Sequence, residues 1–146
     1  MTSLAERYKK MLPIILKQHE LVDELCKNSV FFKPSKLQNY HNLLNYIADN
    51  IELDIYTIHT LQIATQAKKT SDLLEIVRFF SGGNSNLFEI KYCYEMVDNE
   101  RIDIHQDEYN NFMTNNEVPV NDNGVEIEDF DPKYLSFYCL VNYDEH

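Results

Sequence analysis

Apolar residues recur at spacings of three and four along the first part of the chain and then at every second position, so the pattern predicts helices first and strands after. Leu4, Tyr8, Met11, Ile15, Val22 and Leu25 trace one helical face, interrupted only at Gln18. Ser3 with Glu6 has the spacing of a capping box. Pro13 inside this run removes a backbone donor and predicts a kink or restart. A second helix is expected from Ser35, paired with Gln38 as another capping box, with Leu37, Tyr40, Leu44 and Ile47 on its apolar side and its end near Asn50. A third is expected to start at Asp54 as cap and to carry Ile55, Ile58 and Leu61. A fourth follows the turn at 68–70, with Leu73, Leu74, Ile76, Val77 and Phe80 inward and Gly82-Gly83 at its end.

After Gly83 the period changes to two. Phe88, Ile90, Tyr92, Tyr94 and Met96 alternate with Glu89, Lys91, Cys93 and Glu95, the clearest strand signal in the chain. Asp98, Asn99 and Glu100 make a turn, and 101–105 returns with Ile102 and Ile104 on one face. Asp107 is expected to cap a short helix bearing Tyr109, Phe112 and Met113. The Asn123-Gly124 step between 118–120 and 125–128 predicts a second hairpin. The run 134–141 is apolar on both faces and predicts an interior strand.

The fold class is therefore α+β: a helical half of about four helices, then a mainly antiparallel sheet with one short inserted helix. The chain of 146 residues is the size of one domain, with 1–83 as a helical subdomain and 84–146 as an acidic, sheet-rich one. In order of elements, residues 58–80 and the hairpin at 87–105 resemble a winged-helix unit. The candidate recognition helix would offer Ser71, Asp72, Glu75 and Arg78, and the wing Glu89 and Glu95, a poor surface for phosphates.

Charge changes the picture more than any motif. Residues 1–80 hold 10 Lys and Arg against 9 Asp and Glu, a net of +1, whereas 81–146 hold 3 against 15, a net of −12. Nucleic acid or anionic lipid would be repelled by the second half, and a basic protein surface attracted. No apolar run approaches the ~20 residues of a membrane-spanning helix, and no leader pattern opens the chain. Cys26, Cys93 and Cys139 are odd in number and form no CxxC pair, which predicts free thiols in a cytoplasmic protein.

Catalytic and metal motifs are missing. There is no HExxH, GxSxG or GxxxxGK[ST]. His105 beside Asp103, Asp107 and Glu108 has donors for a cation, but solvated acids at a hairpin end account for the same residues. An EF-hand alignment of Gly124 puts Pro119 and Phe130 where carboxylates are required. The expectation is no cofactor and no enzyme. What remains is Glu126, Glu128, Asp129 and Asp131 around Phe130, with Asp98, Glu100 and Asp103 as a second cluster. Acids interleaved with aromatic anchors suit an interface. The sequence thus predicts a non-catalytic interaction module, an adaptor, inhibitor or small subunit, that binds a Lys/Arg-rich protein surface. The alternatives are a nucleic-acid mimic that blocks a DNA- or RNA-binding channel and a winged-helix DNA-binding regulator.

Overall fold

A computed structural model describes residues 3–30, 32–95, 100–121 and 123–142. Helix α1 (Leu4–Asn28) starts where Ser3 Oγ accepts the Glu6 N–H, and it runs through Pro13 without a restart. Pro13 sits on an exposed side of the helix. Met11, Ile15 and Val22 are buried, and Gln18 is buried among them. Helix α2 (Pro34–Asp49) opens one residue earlier than Ser35. Lys33 occupies the cap with no side-chain bond, and Pro34 takes the first turn, where its missing N–H costs nothing. Tyr40, Leu43, Leu44 and Ile47 form its buried face.

The helix expected from Asp54 begins later. Ile55–Thr57 is a short strand, β1, and α3 (Ile58–Thr65) starts at Thr57, whose hydroxyl accepts the Thr60 N–H. Two features override the helical reading of this stretch. The Asp54 carbonyl accepts the Val141 N–H at 3.0 Å, and Tyr56 is wholly buried against the rings of Tyr46 and Phe88. Helix α4 (Thr70–Ser81) buries Leu73, Ile76, Val77 and Phe80 and ends at Gly82.

The sheet has the order β1-β4-β2-β3, with β2 (Phe88–Glu95), β3 (Arg101–Ile104) and β4 (Leu135–Val141). β2 and β3 form the expected antiparallel hairpin, Tyr92 opposite Ile104 and Tyr94 opposite Ile102. β4 is an interior strand, as its two-sided apolar pattern predicts. Helix α5 (Gln106–Asn115) is capped by His105, not Asp107: the imidazole Nδ1 accepts the Asp107 N–H. The second hairpin is reduced to a single bridge between Val120 and Glu126. Asn121 Oδ1 takes the N–H groups of Asn123 and Val125, so its side chain supplies the turn bonds, and Gly124 adopts φ +78°. The helix–turn–helix–hairpin order is present as α3, α4, β2 and β3, with β1 bordered by β4.

By compactness the chain divides into two units, Met1–Glu89 with Leu140–His146, and Ile90–Cys139. The first has a large apolar core that includes Met11, Leu43, Leu44, Leu61 and Phe80. The second has a small one: Tyr94, Ile104 and Ile127 are buried, with Tyr92, Ile102, Tyr109, Phe130, Tyr134 and Leu135 packed on them. No helix among the described residues is long and apolar enough to cross a membrane.

Candidate functional site

The segment 126–131 in the second unit is held at three points. Ile127 is buried in the small core. The Phe130 ring packs on Tyr94 at 5.3 Å between centroids and edge-on against Phe112 at 5.1 Å. The Asp131 N–H donates to Tyr94 Oη at 3.0 Å. Beside these anchors Glu126, Glu128 and Asp129 are exposed, and their side chains make no hydrogen bond or ion pair among the described residues. Asp129 has φ +52°, which aspartate tolerates better than most residues. Aromatic packing below thus fixes the carboxylates above.

The remaining predicted residues are less free. Asp131 Oδ1 accepts the Lys133 N–H and opens the 3₁₀ turn Pro132–Tyr134, and its other oxygen lies 3.6 Å from Lys133 Nζ. Phe130 is half-buried and engaged with the chain's own rings. Asp103 is exposed on β3 and accepts from Tyr138 Oη at 3.2 Å. Burial, with the Asp103 charge, raises the Tyr138 pKa, so the phenol stays a donor. Glu100 is exposed beside the start of β3, and Asp98 lies outside the described residues.

Across Ile90–Cys139 the sequence has 12 acidic residues against Lys91, Arg101 and Lys133, a net of −9. The Arg101 guanidinium lies 4.2 Å over the Tyr138 ring, and Lys133 lies over Tyr134 and beside Asp131. Both side chains are thus engaged within this unit.

The α4 face that a winged-helix reading would offer to DNA carries acids that already have a cation. Lys36 Nζ on α2 lies 2.8 Å from Asp72 and 3.9 Å from Glu75. The Lys36 hydrogen bond holds the Asp72 carboxyl below the usual carboxylate range. Elsewhere in the first unit, Lys17, Glu24, Asn28 and Asn84 rim an open groove of about 530 Å³ floored by Leu21, Leu25 and Phe79.

One cluster is not legible from motifs. His41 Nε2 lies 3.0 Å from Asp23 Oδ1, and His41 Nδ1 lies 2.6 Å from His19 Nδ1. His19 and Asp23 are four apart on α1, hence on one face. His41 stands about as far after the α1–α2 turn as they stand before it, and that is the available sequence signal. Burial, and then the His41 charge, lowers the His19 pKa, with Asp23 opposing.

The cysteines are free, with Cys93 and Cys139 buried and Cys26 partly exposed. Burial pushes the Cys93 thiol up to about 11 and the Cys139 thiol up to about 12. Among the described residues no three His, Cys, Asp or Glu side chains converge to hold a metal ion. Comparison with protein-family models, with curated proteins and with solved structures finds no match to this chain.

Proposed function

We propose that this chain is a non-catalytic interaction module that binds a Lys/Arg-rich surface of a larger protein through its acidic second unit. The observation that carries the reading is the 126–131 segment. Glu126, Glu128 and Asp129 are exposed and have no partner among the described residues, while Ile127, Phe130 and the Asp131 N–H pin the backbone beneath them. A pinned display loses little conformational entropy when it binds. A net of −9 over this unit steers a basic partner in and repels polyanions.

The chemistry favours a partner whose cations are spaced to meet three carboxylates on a short turn. Phe130 acts in this reading as the support that sets the turn. A Glu126→Lys/Glu128→Lys/Asp129→Asn variant tests it. Asparagine is chosen at 129 because it also tolerates the positive φ. Asp131 is left in place because it caps the following turn. With the fold intact by circular dichroism, the variant should fail to retain the basic partner that the wild-type chain retains at low salt. Equal retention by both would contradict the reading.

A further inference from the structure

His19 and His41 form an unusual pair. Their ring planes are inclined by only 16°, and the centroids are 4.8 Å apart. That separation is the 2.6 Å between the two Nδ1 atoms plus about one ring radius on each side. The rings therefore meet edge to edge and almost in line, with one nitrogen aimed at the other. Such a contact holds one proton between the nitrogens. With none, two lone pairs face each other, and with two, the N–H groups collide.

The carboxylate sets the direction. Asp23 only accepts, so His41 Nε2 donates to it, and in neutral His41 the Nδ1 is then the acceptor. His19 Nδ1 must supply the proton, which leaves the His19 Nε2 lone pair for the next one. A first added proton leaves both hydrogen bonds standing on either ring: on His19 Nε2, or on His41 Nδ1 beside Asp23 with His19 turned to its Nε2–H tautomer. A second puts hydrogen on both facing nitrogens and a positive charge on each ring. The charged groups acting on His19 are His41 from α2 and Asp23 from α1. α3, which packs against α2, carries one titratable side chain, His59, and it is exposed.

We propose that the Asp23–His41–His19 chain is a proton-counting latch between α1 and α2, closed with up to one added proton on the imidazoles and released by the second. The direction at His19 agrees with this, because a lowered pKa means that the unfolded chain binds more protons. Stability from the latch is then fully present above the ordinary histidine range and is lost as pH falls below it, through the lowered folded-state value of His19.

The test is the melting temperature of the full chain from about pH 7.5 to 5, compared with that of His19→Gln. A glutamine amide can donate to neutral His41 or accept from charged His41, so its contact survives either state. The wild type should lose more on acidification than the variant, on the order of 4 °C for each tenfold change in proton affinity. Parallel curves would overturn the proposal. Nitrogen-15 NMR of the wild-type imidazoles decides the matter if the variant does not fold. The latch requires His41 as the Nε2–H tautomer at neutral pH and two separated titration steps. Two independent, ordinary titrations would overturn it.

Discussion

Gln18 is the residue whose loss the structure prices most fully. Its amide is 1% exposed, on the apolar face of α1. Nε2 donates to the Ser85 carbonyl at 2.9 Å, and Oε1 accepts from Ser85 Oγ at 2.5 Å. Ser85 Oγ in turn accepts the Leu87 N–H at 3.4 Å. The helix is thus tied to the 82–87 loop by a closed set of bonds with no water needed. Gln18→Ala leaves the Ser85 carbonyl and the Ser85 O–H donor buried without partners, at about 1–3 kcal/mol each, and opens a small cavity, so the expected loss is about 3–4 kcal/mol. Ser85→Ala also removes two bonds, but one of them is the long 3.4 Å contact from Leu87, and it should cost about 2 kcal/mol. The double variant should cost about 1–2 kcal/mol less than the sum, because the shared bond is lost once. Urea unfolding of the four proteins, with unchanged slopes, measures all three quantities. A Gln18→Ala loss below about 0.5 kcal/mol, or strict additivity, would refute the network's role.

Two further outcomes follow from burial. Phe130→Ala should cost about 2 kcal/mol by removing a half-buried ring from a small core, and should broaden the NMR signals of 126–131 as the turn loses its support; unchanged urea midpoint and line widths would show that the ring anchors nothing. In the folded protein a thiol reagent should label Cys26 alone, since burial keeps the Cys93 and Cys139 thiols protonated and covered, and rapid labelling of either buried cysteine would contradict this.

The fold was largely legible because each helix and strand carries its own period. The change after Gly83 marks the start of the sheet, and the two-sided run ending at Val141 marks its interior strand. The structure departs from the local pattern where a long-range bond outweighs local preference. Ile55 fits a helical face, yet the Asp54 carbonyl is taken by Val141, and the cap moves to Thr57. Two side chains next to strands also depart from the sequence pattern: His105 caps α5 through its ring nitrogen, and Asn121 supplies the bonds of a turn that the pattern assigns to a hairpin. The acids at 126–129 were legible as exposed because Ile127 and Phe130 interrupt them. That Phe130 faces its own chain was not, since its partners Tyr94 and Phe112 lie far away in sequence. Gln18 was visible as a break in an apolar stripe, but its partner, 67 residues on, was not. The His19–His41 contact likewise depends on how two helices pair.

The central claim is that the 126–129 carboxylates meet a basic protein surface. Its most direct test is the association rate of the basic protein retained from a lysate of the source cells, measured against the wild-type chain and against Glu126→Lys/Glu128→Lys/Asp129→Asn at low and high salt. Charges screened over ~8 Å at physiological salt act mainly on encounter. The wild-type rate should be high at low salt and fall steeply as salt rises, while the variant's rate should be low and nearly flat. A variant that associates as fast as the wild type at low salt would contradict the claim.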